Sequence, residues 1–328
     1  MIILGAIYTN KYHTFIFSVI IKNMLEKNEK NMQNYYDAHF HYSVCKTDGA
    51  FNITDIYNDD NVITNKNVII GQNNVIIGLD PIISPSSWQG LSCAHSITEW
   101  KTQYEDTQKY NLGIAHSFGL HPQSAGWIDI EQNAAFLEQL INEKKVSAIG
   151  EAGFDYFSDE FRDKKDIQEK MWNIQLELAI SAQLPIIVHC RKANEKLFEY
   201  SKKLKLVPAV LFHSFMGTPV EALSLCRRGI NAYFSFGKQL MNNNKKTIAC
   251  MSELPLETLL CETDAPFQFL KGENHTKLSD IKTIYKAAFT LRKDCTSFED
   301  FQLKLEQNYN HLVCSFASCK TASESRIN

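Results

Sequence analysis

The chain has no Cys-x-x-Cys pair, no excess of positive charge and no long apolar run, and each absence removes a class of protein. Nine cysteines, an odd number, are scattered from Cys45 to Cys319 without the spacing of a zinc knuckle or the even count of a disulfide framework. Reduced thiols in a cytoplasmic protein are expected. A formal net charge of −3 supplies no global field toward nucleic acid or acidic membrane, so any site for a polyanion is local. The apolar run Thr14 to Ile21 is too short to span a bilayer, and no small-residue cleavage site follows it. It reads as a surface strand or helix, or as a consequence of start-site choice, because Met24 and Met32 both follow it. No membrane contact and no obligate protein partner are expected.

What is present is enough apolar material, 44% of 328 residues, to bury a large core. From Asp37 onward, short and mostly β-branched runs alternate with segments of helical period. The expected strands are Tyr35 to His41, Leu91 to Ala94, Leu112 to Phe118, Val146 to Gly150, Pro185 to His189, Ala209 to His213, Ala232 to Phe236 and Leu259 to Glu262. The expected helices are Ile97 to Tyr110, Ile130 to Lys144, Ile167 to Ala182, Ala193 to Leu204, Pro219 to Arg228, Lys245 to Ser252, Ser279 to Arg292 and Phe298 to Phe316. Eight strands alternating with helices predict an α/β fold, a (β/α)8 TIM-type barrel. An open doubly wound sheet would want a glycine-rich phosphate loop after its first strand, where this chain has His39 and His41. The expected organisation is an N-terminal extension over 1–34 and one barrel domain over 35–328. That domain carries an insertion at about 46–90, rich in Asn and Asp. Two near-repeats there, Asn67 to Gly71 and Asn74 to Gly78, fit a hairpin.

Polar residues recur at one end of these strands. His39 and His41 fall two apart, a spacing that turns both imidazoles to one side of a strand. Glu151, His189, His213 and Asp264 each follow an apolar run. One histidine at a strand end is commonly a core residue, but barrel geometry makes six such residues converge where active sites lie. Four imidazoles and two carboxylates suit two divalent cations sharing a carboxylate. Nitrogen and oxygen donors without thiolate leave Mg²⁺, Mn²⁺ and Zn²⁺ open.

The blocks Asp37 to His41, Gly119 to Pro122, Gly150 to Tyr156, Pro185 to Arg191, His213 to Gly217 and Glu262 to Pro266 occur in the order found in the TatD family, which the chain resembles over Tyr35 to Phe316. These are metal-dependent deoxyribonucleases of the amidohydrolase superfamily. Gln168, Gln175 and Asn308 also match family positions. The resemblance implies that His39, His41, Glu151 and Asp264 hold one metal and that Glu151 bridges to a second held by His189 and His213. It implies cleavage of DNA phosphodiesters, as a 3′-5′ exonuclease, by water activated between two metals, with Asp264 as general base and Glu151 as the shared carboxylate. His121 and Arg191 are candidate phosphate contacts, and Asp155 and Glu262 candidate supports for the histidines. Residues 46–90 depart from the family pattern. So does Phe269 to Asn274, where Lys271 replaces an arginine without its bidentate fork. A small-molecule ester, amide or lactone therefore stays open as substrate, as does a non-catalytic metal protein.

Overall fold

A computed structural model describes residues 34–50 and 88–314. The N-terminal extension and most of the expected insertion, its hairpin included, lie outside the described residues. Eight strands, β1 (Tyr35–Phe40), β2 (Trp88–Ala94), β3 (Ile114–Phe118), β4 (Ala148–Asp155), β5 (Ile186–Arg191), β6 (Val210–Phe212), β7 (Ala232–Phe236) and β8 (Leu259–Cys261), form one sheet in sequence order. Every adjacent pair is parallel. The helices are α1 (Tyr42–Thr47), α2 (Ile97–Tyr110), α3 (Ile130–Asn142), α4 (Asp159–Arg162), α5 (Lys165–Ala182), α6 (Asn194–Glu199), α7 (Ser201–Leu204), α8 (Pro219–Arg227), α9 (Lys245–Glu253), α10 (Ile281–Thr290) and α11 (Phe298–Cys314).

Local chemistry sets the helix ends. Ser96, Asp129 and Asn244 each accept a backbone N–H three residues on, and Thr218 with Glu221 forms a reciprocal capping box ahead of Pro219. The expected helix over 193–204 is two short helices meeting at Tyr200, whose hydroxyl donates to Glu169 (2.6 Å). Helix α1 has no sequence-based counterpart.

Two apolar layers alternate along the strands. Leu91, Ile187, Leu211 and Leu260 belong to an inner cluster, capped by Tyr309 and Leu312 of α11. Their neighbours Ile186, Val188, Val210, Phe212, Leu259 and Cys261 pack in the outer cluster with helix residues such as Met171, Trp172 and Leu176. Beyond β8, Asp264 N–H donates to His39 carbonyl (2.9 Å) and His41 N–H to Ala265 carbonyl (2.8 Å), tying the last strand to the first. Buried Asp37 reinforces the seam by accepting from Thr263 N–H (2.9 Å) and Oγ1–H (2.6 Å). This closure brings all eight strand ends around one mouth.

Two strands break strict alternation. On β1, Asp37 pairs with Gly90 but Phe40 with Ser92. On β4, Ile149 pairs with Ile186 but Ala152 with Val188. Each is one residue too long for its partner, a β-bulge that reverses the facing of the residues beyond it. Gly153, just past the second bulge, has φ +142°, and a Cβ there would meet the His189 carbonyl oxygen at 2.0 Å. Gly153→Ala should destabilise the protein by about 3 kcal/mol or more, read as a lowered midpoint in urea unfolding.

Candidate metal centre

The bulges decide which residues face the mouth. Ala38 and Ala148 lie in the inner cluster, so alternation alone would turn His39 and Glu151 outward. The extra residue on β1 and on β4 turns both inward. On strands without a bulge the parity carries through unaided: His189 follows Ile187 by two, His213 follows Leu211 by two, and His95 follows Cys93 by two. Two expectations change in detail. Glu151 lies inside β4 rather than after it, and His41 lies past the end of β1, at the N-terminus of α1.

Glu151 is 2% exposed, and its two oxygens have different neighbours. Oε2 faces Nε2 of His39 (3.4 Å), His41 (3.7 Å) and His95 (3.2 Å). Oε1 faces Nδ1 of His189 (2.8 Å) and Nε2 of His213 (2.5 Å) and His121 (3.4 Å). Asp264 Oδ1 adds a second carboxylate near His39 Nε2 (3.5 Å) and His41 Nε2 (3.2 Å). The six residues nominated from sequence as metal ligands thus lie together.

These groups fit divalent cations. Donor atoms around a tetrahedral ion bound at about 2.0–2.1 Å lie about 3.3 Å apart, close to the separations among His39, His41, Glu151 and Asp264. His39 Nε2 is buried with no hydrogen-bond partner, which is costly for a nitrogen facing carboxylates unless a cation or a proton lies between them. Without an ion, protons take that role. Burial opposes charge on His189, yet Asp155 and Glu151 push its pKa up to about 9. Burial likewise opposes a proton on His39, but Cys93, Glu151 and Asp264 hold one there well above the usual range. Glu151 and Asp264 are kept below the carboxylate range against burial by the surrounding imidazoles.

The supports are specific. Asp155 accepts from His189 Nε2–H (3.1 Å) and from Gln123 Nε2–H (2.8 Å), leaving His189 Nδ1 toward Glu151. Asp155 sits low, at about 2, because the contacts from His189, Gln123 and Phe157 N–H outweigh its burial. From α5, Gln168 brackets the Asp155 backbone and Gln175 the Leu120 backbone, next to His121. Glu262 lies 3.9 Å from His213 Nδ1, beyond hydrogen-bond reach, and accepts instead from Ser214 and Ser235. The Arg191 guanidinium lies 3.6 Å over the Phe157 ring. Lys271 is exposed, while buried Lys238 joins Glu273 (2.5 Å) and Asp280 (2.7 Å) around the loop that follows Asp264.

His95 was not anticipated. It follows Leu91 to Ala94 just as His189 follows Pro185 to Val188, so the same strand-end signal was present. It was missed on the weakest apolar run of the eight, directly before the Ser96 helix cap.

Such a barrel, with a buried carboxylate between two sets of imidazoles, places ligands for divalent metal ions at its mouth. Residues 36–313 match the family model for TatD-related DNase, and the chain belongs to that family. It is 35% identical over 171 residues to an uncharacterized metal-dependent hydrolase of Mycoplasma pneumoniae, covering 50% of this chain and 62% of that protein. It is 34% identical over 159 residues to the Cronobacter sakazakii 3′-5′ ssDNA/RNA exonuclease TatD, covering 47% and 58%. The matches thus span about three fifths of these relatives. The crystal structure of the TatD homologue YJJV of Escherichia coli superposes with a TM-score of 0.68 at 21% identity, over 86% of this chain and 99% of that one, and shares the fold.

Because metal ligands must be deprotonated, binding of an ion among these groups would require the loss of the protons on His189 and His39. His189 stabilises the metal-free protein below its unfolded pKa, and that contribution is lost as pH rises through about 9. Zinc titrated at pH 7 should therefore release about two protons, and fewer above pH 9, where His189 has already lost its own. Calorimetry in two buffers of different ionisation enthalpy measures it.

Proposed function

We propose that the protein is a cytoplasmic, metal-dependent nuclease that hydrolyses phosphodiester bonds of single-stranded DNA or RNA from a 3′ end. The observation that carries the reading is Glu151, one buried carboxylate with imidazoles on both oxygens, in a TatD-related DNase chain. His39, His41, Glu151 and Asp264 would hold one divalent ion, and Glu151, His189 and His213 a second, Mg²⁺, Mn²⁺ or Zn²⁺. Such ions supply positive charge that stabilises the developing phosphorane and eases ionisation of the attacking water.

The protein's own groups do the rest. Asp264 is held deprotonated by its imidazole neighbours, and Gln268 Nε2–H steadies its Oδ2 (2.6 Å). That oxygen takes the proton of the attacking water as general base. His121 accepts Gln123 N–H at Nδ1 (3.2 Å), so the neutral ring carries its proton on Nε2 and donates it to a phosphate oxygen. Burial keeps the ring neutral, with a pKa of about 3. Asp155 orients His189, and Glu262 fixes Ser214 beside His213.

Single strands fit the mouth. Glu151 and Asp264 are 2% and 7% exposed, too deep for a backbone whose bases stay paired. Phe157, Phe267 and Phe269 are about half exposed. The Phe267 ring lies 5.1 Å from that of His41, and Arg191 and Lys192 flank Phe157. Aromatics with local cations hold single strands without a basic surface overall. Buried free thiols such as Cys45, Cys93 and Cys261 suit a reducing cytoplasm. Among the described residues no helix is long and apolar enough to cross a membrane.

The test is digestion of 3′- and 5′-labelled oligonucleotides by the metal-loaded protein beside a panel of carboxylic esters and lactones. Loss of nucleotides from the 3′ end is expected. Turnover of esters with intact DNA and RNA at every divalent ion would replace this reading with a small-molecule hydrolase. Asp264→Asn should lower kcat by about 10²- to 10⁴-fold with an unchanged circular dichroism spectrum. Phe157→Ala should raise KM for oligonucleotides about fivefold or more while kcat holds, from the loss of a stacking platform worth about 1–3 kcal/mol per base.

A further inference from the structure

We infer that His95 is a metal ligand, a fifth donor beside His39, His41, Glu151 and Asp264, and that it biases this site toward a nitrogen-preferring divalent ion such as Zn²⁺ or Co²⁺ over Mg²⁺. Among the three imidazoles on Glu151 Oε2, His95 stands nearest, at 3.2 Å against 3.4 Å and 3.7 Å. Its Nε2 is buried with no hydrogen-bond partner. The His41, His95 and Glu151 donor atoms all lie within 4.8 Å of one another, and the His95 ring packs edge-on to that of His41 at 5.0 Å.

The nitrogens crowd two carboxylates: His95 Nε2 faces Glu151 Oε2 (3.2 Å), while His41 Nε2 lies between that oxygen (3.7 Å) and Asp264 Oδ1 (3.2 Å). A cation among the His41 and His95 nitrogens and the Glu151 oxygen would engage the lone pairs of all three at once.

The same reasoning separates His95 from His121, whose ring lies 4.7 Å away. His121 Nδ1 accepts Gln123 N–H, which leaves its proton on Nε2 and makes that nitrogen a hydrogen-bond donor rather than a metal ligand. The described contacts of His95 include no such bond to the ring. Its position is fixed through the backbone instead: its N–H donates to Glu99 Oε2 (2.8 Å) at the start of α2, and β2 parity turns its side chain inward. Three imidazoles and two carboxylates make a nitrogen-rich set suited to zinc or cobalt. Magnesium prefers oxygen donors and keeps several waters.

The inference rests on the metal reading above, but its test needs no nucleic acid. Zinc affinity, by competition with a chromophoric chelator, and the visible absorption of the cobalt-loaded protein would be compared for wild type and His95→Ala. The variant should bind one of two zinc ions about tenfold or more weakly, with a changed cobalt band and magnesium affinity nearly unchanged. Wild-type zinc affinities together with a wild-type cobalt spectrum would overturn the assignment, and so would an equal loss of zinc and magnesium binding. Should the alanine variant fail to fold, the wild type decides the matter. Each coordinated imidazole gives one cobalt-shifted exchangeable N–H resonance, so five such signals support His95 as a ligand, and four refute it.

Discussion

Closure of the barrel between its last and first strands is the constraint on which the rest depends. The hydrogen bonds that close it, Asp264 N–H to His39 carbonyl and His41 N–H to Ala265 carbonyl, involve the backbones of three candidate ligands. Fold and site are therefore one construction. A sheet that failed to close would separate His39 and His41 from Asp264 by the width of the barrel. Asp37, the first residue of the His39 and His41 motif, acts at this seam through Thr263 and makes no contact with a ring nitrogen. Burial pushes its pKa up to about 7 against the Thr263 bonds.

Within the closed barrel, charge is managed by numbers. Glu151 is buried among imidazoles, an arrangement that a protein tolerates only when protons or cations compensate it. Positions are held from outside by neutral groups: Gln168 and Gln175 each satisfy both ends of a backbone segment bearing a site residue. Neutral amides provide rigidity without adding charge to a site already crowded with it. Lys238 does the opposite at the mouth, where two acids compensate it and the loop after Asp264 is held by ion pairs.

Much of this was legible in the sequence. Alternating apolar runs and helical periods locate all eight strands, because such patterns depend on neighbours a few residues apart. Strand-end polarity nominated Glu151, Asp264 and four of the histidines that surround them. The division of the helix at Tyr200 was not legible, since it coincides with a hydroxyl contact to Glu169 on another helix. Arg191 stacks on Phe157, a ring that becomes its neighbour only through the β4 and β5 pairing.

The sequence by itself determined the kind of protein: strand and helix periods and ordered motifs are local patterns, and they suffice for a barrel of the TatD-related DNase family. Tertiary structure decided which side chains face one another. Parity would have turned His39 and Glu151 away from the mouth, and only the register of β1 against β2 and of β4 against β5 created the bulges that turned them back. The pairing of strands likewise brought His95 onto Glu151, because a residue's facing is fixed by its partner strand as much as by its own.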